Sequence, residues 1–174
     1  MDNNSDMKPS AEIRPEGTDA TLNEIAMLHR QSSGYYRDIA DAMEQGDDTG
    51  SGYFTRLAEY HDGMLETVNE ILSDMSGGVH TPSRSAETYL KKNEGRLNQA
   101  LQSKNTAELA ELAHENERGI SNGYEHALGN TQLIDFAKEL LQKQHREVLI
   151  WVNRADRFKT VPQDFNDHYD LDKK

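Results

Sequence analysis

Apolar residues along this chain recur at three- and four-residue steps, the spacing of one face of an α-helix, and nowhere alternate long enough to suggest a strand. The pattern predicts four long helices. The first begins near Thr21, where Thr21 and Glu24 have capping-box spacing. It carries Leu22, Ile25, Ala26, Met27, Tyr36, Ile39, Ala40 and Met43 before GDDTGSG, from Gly46 to Gly52, stops it. The second carries Phe54, Leu57, Ala58, Met64, Leu65, Val68, Ile71 and Leu72 and ends at Ser76-Gly77-Gly78, with Pro82 shortly after. A sparser segment from Ser85 to Gln102 predicts a crossover helix on the surface, weakened in its middle by Gly95 by about 1 kcal/mol relative to alanine. Its apolar residues are Tyr89, Leu90, Leu97, Ala100 and Leu101. Asn105 and Glu108 open a third long helix with Leu109, Leu112, Ala113, Ile120, Tyr124, Ala127 and Leu128. After Gly129, Asn130 offers a cap to a fourth, with Leu133, Phe136, Ala137, Leu140, Leu141, Val148, Leu149, Trp151, Val152 and Ala155.

Each long helix is about 24–27 residues, or about 36–40 Å at 1.5 Å per residue. Short turns within each pair make two antiparallel hairpins, and the long connection between them carries the short helix. The chain is therefore expected to be all-α, an up-down four-helix bundle with a crossover helix between hairpins. The alternative is an all-antiparallel five-helix array. Residues 1–19, with Pro9, Pro15 and Gly17 and no apolar period, read as a disordered arm; residues 20–158 form the bundle; residues 159–174 read as a flexible tail in which Phe165, Tyr169 and Leu171 are the groups able to dock.

Composition narrows the function classes. A length of 174 residues suits one domain, and a net charge of −12 repels nucleic acid and anionic lipid, with no basic stripe to offset it. The chain has no cysteine, so disulfides, thiolate metal sites and cysteine nucleophiles are excluded. No apolar run approaches the roughly 20 residues of a membrane helix. The start MDNNSDMKPS has no secretory pattern, so the expected location is the cytoplasm.

The informative positions are those where the apolar stripes are interrupted. The first helix places Ser32 and Ser33 at mid-stripe; the second has His61, with Asp62 beside it; the third has Asn116, with Glu117 beside it; the fourth has Gln144, with His145 beside it. Ser33 and His61 lie about fourteen residues either side of the first turn, and Asn116 and Gln144 are similarly placed about the second, so all four breaks fall at one depth. Buried polar groups cost several kcal/mol unless they find partners. The layer is satisfied either by mutual hydrogen bonds that fix helix register or by a metal ion on His61, Asp62, Glu117 and His145, since histidine and carboxylate from facing helices are the ligands bundles use.

With this layout the chain resembles the ferritin-like superfamily, and more closely the small bacterial ferritin-like bundles related to stress-associated ones. The resemblance runs from Leu22 to Phe158 through LNEIAMLHRQSSGYYRDIADAM, YFTRLAEYHDGMLETV, HENERGISNGYEHALG and LLQKQHREVLIWVNRAD. It implies a dinuclear site with one glutamate from each of two helices and Glu-x-x-His from the other two. Carried over, the first glutamate is lost at Ser33 or Gly34, Glu59 is followed by Asp62 with His61 displaced by one, Glu117 matches, and Gln142 replaces a glutamate three residues before His145. At most three carboxylates remain, Glu59, Asp62 and Glu117, and Glu59 points away from the stripe. Ferroxidase or di-iron oxidase chemistry is therefore disfavoured.

Other groups read more simply. Tyr35, Tyr36, Tyr53, Tyr60 and Tyr124 are expected to pack with their hydroxyls reaching water, the alternative being electron transfer beside a metal; Trp151 is expected in the core; His29, His80, His114 and His126 are expected to be exposed, and His168 lies in the tail. The acidic run from Gly46 to Thr49 lacks a calcium loop's spaced oxygens, and no phosphate loop, nucleophile elbow or HExxH motif occurs. The expected function is that of a non-catalytic ferritin-like protein with a degenerate central site and no cofactor, acting on a protein partner or as a homodimer, with a stress-related role implied by the resemblance alone. The alternative is a protein binding one divalent ion of iron, manganese or zinc.

Overall fold

A computed structural model describes residues 16–44, 50–76 and 86–160, and these residues form six helices and no strand. The fold is all-α. The helices are α1 (Glu16–Glu44), α2 (Ser51–Ser76), α3 (Tyr89–Lys92), α4 (Glu94–Gln102), α5 (Thr106–Leu128) and α6 (Asp135–Thr160). The arm before residue 16, the turn at 45–49, the connection at 77–85 with His80 and Pro82, and the tail with Phe165, His168, Tyr169 and Leu171 lie outside the described residues.

The first helix starts earlier than its capping pattern predicts. Thr21 lies inside α1, its hydroxyl donating to the Gly17 carbonyl at 2.5 Å, and residues 16–19 are helical. Tertiary contacts account for the extra turn. The buried Thr18 donates to the Gln132 carbonyl (3.1 Å) and accepts from the Ile134 amide (3.2 Å), while Asn130 donates to the Gly17 carbonyl and the Thr21 hydroxyl. Asn130 also accepts from the Gln132 amide at 2.9 Å, so it organises the turn before α6 and does not cap that helix. Asn105 does cap α5, accepting from the Glu108 amide at 3.1 Å.

Contacts fix the helix directions. His29 meets His61 and the Ala40 carbonyl meets Ser51, so α1 and α2 run antiparallel. Ser121 meets His145 and Glu111 meets Lys159, so α5 and α6 do too. Across the pairs, Ser32 meets Asn116 while His29 meets Tyr124, and Tyr60 meets Trp151 while Tyr53 meets Phe158; α1 is thus antiparallel to α5, and α2 to α6.

The apolar interior is divided. One cluster gathers Tyr36, Ile39, Met43, Phe54, Leu57, Leu112, Trp151 and Phe158; the other gathers Leu22, Ile25, Val68, Leu72, Ile120, Tyr124, Leu141 and Val148. The crossover is two helices, split where Asn93 leaves helical geometry. It contributes to the first cluster through Leu90, Leu97 and Ala100, all buried, where a surface helix is predicted. On α6 the buried stripe is Ala137, Leu141, Gln144, Val148, Trp151, Ala155 and Phe158, which steps by three and four and leaves Phe136 (61% exposed) and Leu149 (42%) on other faces. Both are expected in the core from the sequence, and both lie outside it.

Gly95 is exposed on α4, and nothing lies within 4 Å of a Cβ built on it. Gly95→Ala is expected to stabilise the protein by up to about 1 kcal/mol, read as a rise in the urea midpoint at constant slope.

Candidate functional site

Between the two apolar clusters lies a layer of polar side chains with almost no access to solvent. Ser32, His29, His61, Asn116 and Glu117 are each fully buried, and Gln144 is 3% exposed. The helical stripes bring them there. His29 follows Ile25 by four residues and precedes Ser32 by three, so it shares the buried face of α1 with Tyr36. His61 lies between Leu57 and Met64 on α2, Asn116 and Glu117 between Ala113 and Ile120 on α5, and Gln144 between Leu141 and Val148 on α6.

These groups form one continuous hydrogen-bonded chain. Asn116 accepts from the Leu90 amide at 3.2 Å, and its Nδ2 donates to Ser32 Oγ and to the Tyr36 hydroxyl, both at 3.0 Å. Tyr36 donates to Glu117 Oε1 at 2.6 Å, and His61 Nε2 lies 2.9 Å from the same oxygen. The opposite edge of the His61 ring meets His29, Nδ1 to Nδ1, at 2.8 Å. His29 Nε2 lies 2.6 Å from the Tyr124 hydroxyl, which donates to Gln144 Oε1 at 2.8 Å; Gln144 Nε2 donates to the Met64 carbonyl at 3.3 Å. Every long helix contributes, and α3 supplies the Leu90 amide.

Burial sets the electrostatics. Loss of water, and then the nearby His61, hold the His29 imidazole well below its usual range, so it is neutral near pH 7. Burial likewise raises the Tyr36, Tyr53, Tyr60 and Tyr124 phenols, with the Glu117 carboxylate adding to each. All four remain hydroxyls. Glu117 Oε2 is buried with no hydrogen-bond partner among the described residues.

Of the residues singled out in the sequence, the structure joins Ser32, His61, Asn116, Glu117 and Gln144 in this chain. It takes three others elsewhere. Ser33 donates to Asp62 Oδ1 at 2.5 Å, and Arg37 holds both, making a half-exposed cluster at the α1–α2 seam. His145 bonds to Ser121 Oγ at 3.1 Å and stacks on the outer face of the Tyr124 ring, with centroids 5.9 Å apart. Asp62 and His145 therefore do not converge with His61 and Glu117. Glu59 and Gln142 are exposed.

His29, expected at the surface, is central; His114 is also buried; His126 is exposed. Tyr36 and Tyr124 direct their hydroxyls into the chain and not to water, because each lies on a core stripe beside a polar partner. Trp151 is in the core.

The fit of this layer to a metal is poor. A dinuclear centre needs about four carboxylates, and the connected chain contains one, Glu117. His29 and Glu117 use opposite nitrogens of the same imidazole, which is the geometry of a relay and not of a chelate. Among the described residues one group of three has ligand atoms within 4.8 Å of one another: Glu111, His114 and Glu115 at the α5–α6 seam. Its cation is already internal, since the Lys159 ammonium lies 3.3 Å from both His114 Nδ1 and Glu111.

Comparison with family models, curated proteins and solved structures finds no match for this chain.

A neutral histidine buried in the fold but free to titrate when unfolded makes stability fall on acidification. His29 has its folded value below the ordinary 6.5, so its contribution is intact above about pH 6.5 and is lost as pH drops from there toward the folded value. Urea unfolding between pH 6.5 and pH 5 should show this decline, at no more than about 1.4 kcal/mol per pH unit for one proton. The His29 share should be absent in His29→Gln.

Proposed function

We propose that this chain is a ferritin-like four-helix bundle without catalytic activity, in which the layer that holds metal in such bundles is closed by the protein's own hydrogen bonds, and which acts through its surfaces. The chain order and directions support the ferritin-like reading: two antiparallel hairpins, each helix antiparallel to its neighbour in the other hairpin, with the crossover between α2 and α5. The carrying observation for the non-metal role is the linear path from Asn116 to Gln144, in which each imidazole nitrogen already has a partner among the side chains. The stress-related role rests on the resemblance alone, and a cytoplasmic location remains the expectation from the sequence. No described helix is long and apolar enough to cross a membrane.

The second reading, one iron, manganese or zinc ion at the centre, has one observation in its favour, the unpartnered Glu117 Oε2. It requires Asp62 and His145 to leave Arg37, Ser33 and Ser121. Purification without a histidine tag from medium supplemented with iron, manganese and zinc separates the two. Metal-free protein whose melting temperature ignores added ions is the expected result. Stoichiometric metal that disappears in His61→Ala and Glu117→Ala would establish the second reading instead.

Action through a surface is proposed to include self-association, as is common for helical bundles. Phe136 and Ile150 are large, exposed and four helical turns apart near one face of α6. Sedimentation at tens of micromolar is expected to show a dimer that Phe136→Glu weakens; monomer alone at that concentration removes the proposal.

A further inference from the structure

The hydrogens of the buried chain can be counted, because backbone groups fix its direction at both ends. At one end the Met64 carbonyl can only accept, so Gln144 turns its amide nitrogen toward it and its oxygen toward Tyr124. The Tyr124 hydroxyl has a single hydrogen, and the 2.8 Å contact with Gln144 Oε1 takes it. The 2.6 Å contact between Tyr124 and His29 then needs its hydrogen on His29 Nε2. At the other end the Leu90 amide can only donate, so Asn116 accepts through Oδ1 and gives both Nδ2 hydrogens away, one to Tyr36. The Tyr36 hydrogen is therefore shared between Glu117 Oε1 at 2.6 Å and, more distantly, the Ala113 carbonyl at 3.4 Å, and in neither case does it serve a contact of the two histidines.

Three contacts remain to be supplied by His29, His61 and Glu117: His29 to Tyr124, His29 to His61, and His61 to Glu117. Each needs one hydrogen. Two neutral imidazoles and a carboxylate carry only two between them. We infer that the His29–His61–Glu117 triad holds one additional proton, so that the three groups together are electrically neutral and form a buried single-proton store. The inference stands apart from the ferritin-like reading, since it uses only the contacts of this interior.

Burial supports the count independently. All three side chains are fully enclosed, and a lone carboxylate with two neutral imidazoles would place a net negative charge there. Of the described cations, Arg37 is engaged with Asp62 and Ser33 at the seam, and Lys159 with Glu111, Asp156 and His114. The additional proton rests either on the Glu117 carboxyl or on His61 as an imidazolium against the Glu117 carboxylate. In both forms His29 is hydrogenated at Nε2 and accepts at Nδ1, and His61 is hydrogenated at Nδ1. Movement between the forms transfers one proton across the 2.9 Å contact from Glu117 Oε1 to His61 Nε2, with no atom gained or lost.

The test is the tautomer of two histidines in the intact chain. Long-range proton–nitrogen NMR of protein labelled with nitrogen-15 histidine, at neutral pH, reads which ring nitrogen carries hydrogen. The expected result is His29 with hydrogen on Nε2 and none on Nδ1, and His61 with hydrogen on Nδ1. His29 with hydrogen on Nδ1 and a bare Nε2 would mean that the chain runs toward a carboxylate, with no additional proton, and would overturn the proposal. Gln144→Met supplies the second arm. It removes the acceptor that claims the Tyr124 hydrogen, so Tyr124 becomes free to donate to His29 and the His29 hydrogen should shift from Nε2 to Nδ1. An unchanged His29 tautomer in a folded Gln144→Met protein would show that Gln144 does not set the direction and would sink the count. Should that variant fail to fold, the wild-type tautomers still decide.

Discussion

The structure depends on a requirement of continuity: polar side chains that cannot reach water must partner one another without a gap. From Asn116 on α5 to Gln144 on α6, through Tyr36, Glu117, His61, His29 and Tyr124, each group finds its partner on another helix or in the backbone. Apolar clusters lie above and below, and apolar packing alone tolerates sliding, since one leucine contact resembles the next. The hydrogen-bonded chain does not. A shift of α2 by one residue would take His61 away from both His29 and Glu117 and leave buried groups unpaired, at a cost of about 1–3 kcal/mol for each neutral one. Helix register is thus set by the polar layer, while the bulk of the driving force comes from the two clusters it divides.

Tyr36 and Tyr124 tie these roles together. The ring of Tyr36 belongs to one apolar cluster and that of Tyr124 to the other, and the hydroxyl of each enters the layer between. Tyr36 also stacks on His61 with centroids 5.5 Å apart, and Tyr124 meets His29 edge-on at 5.8 Å. A phenol serves here because one side chain both fills apolar volume and ends in a donor.

The helices, and four of the interrupted positions, were legible in the sequence from spacing. Ser32, His61, Asn116 and Gln144 each fall where an apolar residue is due, and all four belong to the buried chain. Residues chosen because they stood beside such a position fared unevenly. One step along a helix turns the side chain by about 100°, which carries Asp62 and His145 to helix seams, while Glu117 turns toward the interior because its neighbours on α1 and α2 are close. His29 obeys the stripe rule fully, four residues after Ile25 and four before Ser33, but between Leu28 and Arg30 its face is ambiguous without knowledge of what stands opposite. The early start of α1 was not legible, because Thr18 and Gly17 are held by Asn130 and Gln132, more than a hundred residues away.

The Leu90 amide has a wider meaning for how the molecule assembles. It comes from the segment between the hairpins, yet it is the donor that orients Asn116. The α1–α2 hairpin alone lacks a carboxylate for His61, the α5–α6 hairpin alone lacks an imidazole for Glu117, and neither contains the amide that finishes the path. Halves of the chain are therefore not miniature versions of the whole. Formation of α3 and closure of the interior are thereby coupled through one hydrogen bond.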